Sequence, residues 1–263
     1  MLLILSVNSL RTKLEADRKK LGLLDVPHFV HEHLGLQGLA LQTRYLKGWD
    51  QDQIDRLRDQ ADKKGCPCLL LIEEEALLLG TPSESEASAA ADRMERVLRV
   101  ANRLGCSGVA MAIDAPADPA ALELTAGRLK KIVHRAERLE MNLMISPRPG
   151  LTQHPDHLTA LIRKVGGFRI GSMPDFQVAA ATADYHAYLR ALTPYATAVM
   201  ASCMDFDAKG AHKAFAFEGC VKAITSVGYD GTVALEYRGR GEAIDAITAG
   251  RALIESVVEP AEE

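Results

Sequence analysis

Short apolar runs alternate with longer amphipathic stretches along the whole 263-residue chain, and this eightfold rhythm constrains the fold more than any other feature. A strand buried on both faces reads as a short continuous apolar run, whereas its crossover helix repeats apolar positions at helical spacing. Leu2 to Val7 reads as the first strand, and Asp25 to Leu34 as a helix with Pro27 in its first turn. Gly38 to Gln42 gives a second strand. Gln51 to Lys64 gives an amphipathic helix with Asp50 as N-cap and Gln53 as its capping-box partner. Cys68 to Ile72 is a third strand, ending in Glu73, Glu74 and Glu75. Ser83 to Leu104 is the longest helical pattern and stops at Gly105, where a helix C-terminal glycine belongs. Gly108 to Ile113 and Asn142 to Ile145 are the fourth and fifth strands, with Pro119 to Leu139 helical between them.

The second half keeps the rhythm. His157 to Val165 is helical, Phe168 to Met173 a strand ending at Pro174-Asp175, and Ala179 to Leu192 a helix. Thr197 to Ser202 and Thr232 to Leu235 are strands, and Ala211 to Val227 and Glu242 to Val258 are helices. Eight strand-then-helix units predict an α/β fold, a single (β/α)8 TIM barrel over residues 1–258, with 259–263 as a C-terminal tail. No Gly-x-Gly-x-x-Gly follows the first strand, which weighs against a dinucleotide-binding sheet.

Charge and cysteine usage narrow the partners. The net charge is −4 and no basic stripe is present, so nucleic acid is not an expected partner. The opening MLLILSVNSL is too short and too polar beyond Ser6 for a signal peptide or a membrane span. Five cysteines form an odd set without zinc-ribbon spacing, and a cytoplasmic location is expected. The outer helix faces leave a homodimer open.

Barrel enzymes carry their reactive groups where the strands end, in the loops leading to the helices. That rule selects Asn8, Gln42, Glu73 to Glu75, Asp114, Ser146, Arg148, Asp175, Ser202 and the residues following it to Asp207, Glu236 and Arg238. Such a polar ring suits a small polyhydroxylated or carbonyl substrate. Glu236 is the hardest to justify structurally, because a buried carboxylate is costly unless paired. Asp175 can equally cap the next helix, and Arg148 or Arg238 can neutralise either carboxylate in an ion-pair network. His154 and His157 follow the fifth strand and have the chemistry of a general acid or base, although His154 also reads as a helix start. Cys203 lacks a neighbouring base in sequence.

Several motifs carry a resemblance. Ile145-Ser146-Pro147-Arg148-Pro149-Gly150 is similar to the Ile-Glu-Pro-Arg-Pro-Gly stretch of the sugar phosphate isomerase/epimerase family, of the xylose-isomerase-like superfamily. Pro174-Asp175-Phe176, the run Tyr195 to Asp207, and Gly228-Tyr229-Asp230-Gly231 with Leu235-Glu236-Tyr237 resemble that family's later segments. The similarity extends from about Ala90 to Val258. It implies four metal-binding positions, which fall here on Ser146, Asp175, Met200 and Glu236. Serine and a thioether are poor ligands for Mg or Mn, so the resemblance implies a degenerate site: no tightly bound cofactor, or a divalent metal held weakly by Asp175 and Glu236.

The same resemblance implies proton abstraction beside a carbonyl, with Glu236 as base, Asp175 as its partner, and Arg148 supplying positive charge for an oxyanion. Asn8, Gln42, Glu74, Asp114, Ser146, Met200, Ser202 and Arg238 are the expected substrate contacts. A non-catalytic barrel that binds a small molecule or a partner protein is the alternative, favoured by the lost ligands. Elimination by a lyase or dehydratase is another. An endonuclease would need many histidines and a basic face, and ranks far below.

Overall fold

The computed structural model describes residues 1–16 and 20–258, so the expected tail at 259–263 lies outside the described residues. The chain runs β1 (Leu2–Ser6), α1 (Arg11–Leu14), α2 (Val26–Leu34), β2 (Leu39–Gln42), α3 (Gln51–Lys63), β3 (Cys68–Leu77), α4 (Glu84–Leu104), β4 (Gly108–Ile113) and α5 (Pro119–Arg138). It continues through β5 (Asn142–Ser146), α6 (Pro155–Val165), β6 (Ile170–Ser172), α7 (Phe176–Ala180), α8 (Tyr185–Leu192), β7 (Ala198–Cys203), α9 (Phe217–Thr225), β8 (Thr232–Tyr237) and α10 (Ala243–Val258). Among the described residues, eight strands form one sheet in the order β6-β5-β4-β3-β2-β1-β8-β7, and every ladder is parallel. This is the α/β barrel-type arrangement, a curled parallel sheet with helices outside it. No helix among the described residues is long and apolar enough to cross a membrane.

The two-residue period of a strand explains why the runs are apolar throughout. On the inner face Ile4, Ala40, Leu70, Ala110, Met144, Ala198 and Ala234 pack together as one buried cluster. Their chain neighbours Leu5, Leu39, Leu41, Leu71, Val109, Leu143, Val199, Val233 and Leu235 point outward and pack in the larger core that includes the helices. The helix boundaries follow local chemistry. Asp50 and Gln53 form the expected capping box at α3, each bond 2.9 Å, and Gly105 closes α4 at φ +79°, a left-handed conformation suited to glycine.

Three segments depart from the sequence reading. β3 runs on to Leu77, so Glu73, Glu74 and Glu75 lie within a strand and not beyond it. The helix expected over 179–192 is two helices, because Asp175 and Asp184 each turn a side-chain oxygen onto the first-turn amides of a new helix. The helix expected from Ala211 begins only at Phe217; ahead of it Asp207 accepts from the amides of Lys209 and Ala211 and holds a turn.

β6 and β7 end the ladder, and isolated parallel bridges Ser172–Ala196 and Asp175–Met200 join their neighbouring segments. The Met200 amide donates to the Pro174 carbonyl at 2.8 Å across this seam. The approach is close at Gly171, where a β-carbon would lie 2.4 Å from the Tyr195 carbonyl oxygen. Gly171→Ala should therefore lower stability by about 1–3 kcal/mol through overpacking, measured by urea denaturation. An unchanged midpoint would show that the seam is looser than this.

Candidate functional site

The same alternation that fills the sheet's interior also builds a polar floor above it. Two residues beyond the apolar inner layer, each strand presents its next inward side chain: Ser6 after Ile4, Gln42 after Ala40, Ser146 after Met144, Met200 after Ala198, Glu236 after Ala234. One further step of two brings Asn8, Glu74 and Arg238 to the rim. These residues, apart from the buried Ser6, line a cavity of about 280 Å³ at the C-terminal ends of the strands, together with Ile72, Pro147, Met173, Asp175 and Val178.

Glu236 is 5% exposed and takes three protein donors. Ser6 Oγ donates to Oε2 at 2.5 Å; Arg238 Nε at 2.6 Å and Asn8 Nδ2 at 3.3 Å both donate to Oε1. Asp175, 8% exposed, serves two roles. Its Oδ1 accepts from the Gln177 and Val178 amides and from Ser202 Oγ at 2.8, 3.1 and 2.7 Å, capping α7. Its Oδ2 accepts from Arg238 Nη2 at 2.7 Å. Arg238 thus links the two buried carboxylates, and its Nη1 reaches Gln177 Oε1 at 3.1 Å. Burial opposes the charge on Arg238, but Asp175 and Glu236 outweigh it and hold the guanidinium protonated above its ordinary range.

Two further features face the cavity. Gln42 is 2% exposed and donates to Ser6 Oγ at 2.8 Å, while its Oε1 has no partner among the described residues. Glu74 pairs with Arg44 at 2.6 Å, and Arg44 also donates to Asn8 Oδ1. Burial pushes the Glu74 carboxyl above the ordinary carboxylate range against the pull of Arg44, and Glu236 and Glu73 add to the rise. The Arg44–Glu74 pair also borders a second, more apolar cavity of about 840 Å³ beside Leu46, Leu71 and Val97.

Other sequence-derived candidates stand elsewhere. Arg148 reaches Asp114 at 3.8 Å, and neither residue lines the 280 Å³ cavity, so the positive charge beside the carboxylates comes from Arg238 and not Arg148. His154 occupies the N-cap position of α6 and meets His157 edge to face, away from the cavity lining. Ser202 is buried behind Asp175 and orients it. The Cys203 thiol is pushed up to about 12 by burial, with Glu236 adding to the effect, which does not suit a nucleophile.

Sequence reasoning missed Ser6, Arg44 and Gln177. The strand period carried a signal for Ser6, two residues before Asn8. Arg44 and Gln177 lie in loop and helix starts whose direction no pattern fixes.

The residues do not fit a divalent metal. Ser146 offers a neutral hydroxyl and Met200 a soft thioether, and no group of three or more His, Cys, Asp or Glu side chains stands together to hold an ion among the described residues.

A family model described as xylose isomerase-like TIM barrel matches residues 29–257. Among solved structures, a D-tagatose 3-epimerase-like protein aligns with a TM-score of 0.78 at 16% identity, covering 100% of both chains. The IolI protein with a bound zinc atom aligns at 0.76 and 13% identity, again over 100% of both. The probable 3-DHS dehydratase AsbF from Bacillus anthracis aligns at 0.71 and 14% identity, over 99% of this chain and 100% of that one. At these identities the likeness concerns the fold. No curated protein matches the chain in sequence.

Ser202 gives a direct test of how Asp175 is held. Ser202→Ala removes the donor to Asp175 Oδ1 and the hydroxyl that receives the Gln177 amide. It should cost about 1–3 kcal/mol in chemical denaturation; a loss within error would mean water replaces the hydroxyl.

Proposed function

The chain belongs to the xylose isomerase-like TIM barrel family, and on that footing we propose that it is an isomerase- or epimerase-like enzyme acting on a small polyhydroxylated carbonyl compound. The observation that carries this reading is Glu236, a buried carboxylate opening on the cavity with Arg238 donating to its Oε1. Glu236 removes the proton from the carbon beside the substrate carbonyl. The electron pair of that C–H bond moves into a new C=C bond, and the carbonyl oxygen becomes an enolate oxyanion. Arg238 supplies the N–H donors for that oxygen, a fixed positive charge facing the cavity. Returning the proton to the other face gives the epimer; returning it to the adjacent carbon, after proton transfer between the oxygens, gives the isomer.

Glu74, three strands round the sheet from Glu236, is the group we assign to return the proton, since its carboxyl keeps a proton to higher pH than an ordinary glutamate. Asp175 positions Arg238 through Oδ2 and does not itself transfer a proton. The unpartnered Gln42 Oε1 supports a hydroxylated substrate, because a substrate hydroxyl supplies the donor that this buried oxygen lacks. The reading takes the sheet as a closed (β/α)8 barrel, supported by the bridges at its seam, and the cytoplasm as its compartment, supported by five free, buried cysteines.

Elimination is the second reading. It shares the first proton-abstraction step, and the likeness to a probable dehydratase supports it. A non-catalytic binding barrel is favoured by one feature, that Arg238 already engages both carboxylates.

A panel of ketoses, aldoses and hydroxylated keto acids incubated in D2O separates these readings by NMR. Proton abstraction should exchange deuterium into the position beside the carbonyl of at least one compound, and Glu236→Gln should slow that exchange by about 100-fold or more. Loss of a hydroxyl group from the exchanging compound would identify elimination. Tight binding without any exchange would identify the non-catalytic barrel and overturn the enzymatic reading.

A further inference from the structure

We infer that Arg238 is the built-in cation of this site: its guanidinium takes the place between Asp175 and Glu236 that a divalent ion would need, and excludes one. An ion held by these two side chains would have to coordinate Glu236 Oε1 and Asp175 Oδ2 at roughly 2.0–2.6 Å. Both oxygens already accept from Arg238, at 2.6 and 2.7 Å. Of the other two oxygens, Asp175 Oδ1 is filled by Ser202 and two backbone amides, and Glu236 Oε2 keeps only one lone pair beside its bond from Ser6, room for a proton but a single donor toward a divalent ion. Every carboxylate oxygen of the pair is therefore engaged by the protein. The other polar groups at this level, the Ser146 hydroxyl and the Gln42 carbonyl oxygen, are neutral, and with the Met200 thioether they do not displace a guanidinium in favour of a hard cation.

The substitution has a chemical consequence. Guanidinium keeps its charge across the whole working pH range and presents five N–H donors in a fixed plane. Arg238 uses three of them on Glu236, Asp175 and Gln177, so one N–H on each terminal nitrogen has no partner among the described residues. Two unused donors on one guanidinium suit an oxygen-bearing group such as a carboxylate or an enediolate. The ligand class that follows is a hydroxylated compound carrying a carbonyl or carboxylate group at one end, held by Arg238 there and by Gln42 at a hydroxyl. This deepens the enzymatic reading of the same cavity, yet its test reads metal binding and not turnover, so the two fail separately.

The test uses Mn²⁺ alone as probe, followed by the loss of its free electron paramagnetic resonance signal. Three proteins are compared: wild type, Ser146→Glu with Met200→His, and that double variant with Arg238→Ala added. Wild type should bind no Mn²⁺ at a stoichiometric site. The double variant, with four ligand-type side chains around an occupied position, should bind weakly. Adding Arg238→Ala should bring about one Mn²⁺ per chain and tighten binding by tenfold or more, on the order of the effect of an inner or outer metal partner.

One Mn²⁺ per wild-type chain, released by Glu236→Gln, would overturn the inference. So would equal Mn²⁺ affinity in the double variant with and without Arg238, or no binding in a folded triple variant. Circular dichroism confirms folding of each variant, and the wild-type measurement stands even where a variant does not fold.

Discussion

Two carboxylates sit over an apolar interior because one guanidinium joins them. Below Glu236 the inward positions of the sheet are Ala234, Ala198, Ile4 and Met144, a layer with no polar atom to offer an ion. Removing a charge from water in such surroundings costs several kcal/mol per ion unless a counter-charge and hydrogen bonds replace the lost hydration. Arg238 provides both to Glu236 and Asp175, and Ser6, Asn8 and Ser202 complete their hydrogen bonds. The rest of the site follows from that pairing. Asp175 can cap α7 with one oxygen only because the other is neutralised by Arg238, and α7 in turn presents Gln177 to the same guanidinium. The helix, the seam between β6 and β7, and the cavity are thus tied through one side chain.

Much of the fold was legible because parallel strands covered on both faces have little choice of composition. All eight strands fall where the apolar runs stand, and the capping box at Asp50 and the glycine stop at Gly105 mark helix ends to the residue. The misreadings share a cause. Glu73 to Glu75 broke the apolar run and so read as the end of a strand, but a strand tolerates charge where the carboxylates find partners, as Glu74 does with Arg44 and Glu75 with Arg93. Residues 179–192 and 211–227 have helical composition throughout. What divides or shortens the helices is where Asp175, Asp184 and Asp207 turn their oxygens, and composition does not record that.

The site was legible in part, and the dividing line is the strand period. Glu236 is on β8 and Arg238 stands two residues on, one past the strand's last residue, so their pairing was available from spacing. Gln42 and Glu74 reach the cavity by the same logic. Arg148 was attractive as a positive charge because it follows the fifth strand within the resembled motif, but Pro147 and the turn that follows take the chain out of strand geometry. Arg148 then meets Asp114 at the surface. His154 lies further along the same loop and is spent at the start of α6. Period-two reasoning holds while the backbone is a strand and fails at the first proline beyond it.

That distinction bears on how a metal site can be dismantled without collapse. Changing a ligand glutamate to serine and a ligand histidine to methionine leaves the remaining carboxylates short of positive charge. A chain in that state gains stability from any cation that reaches them, and the side chain best placed is Arg238, two residues after Glu236 and just past the end of β8. Its fork spans both carboxylates, which a lysine ammonium, a single compact charge, would bridge less well. The compensating residue need not lie at either lost-ligand position. The resembled ligand positions taken alone show Ser146 and Met200, whereas the pairing of Arg238 with Glu236 and Asp175 lies outside them and is visible only in the geometry.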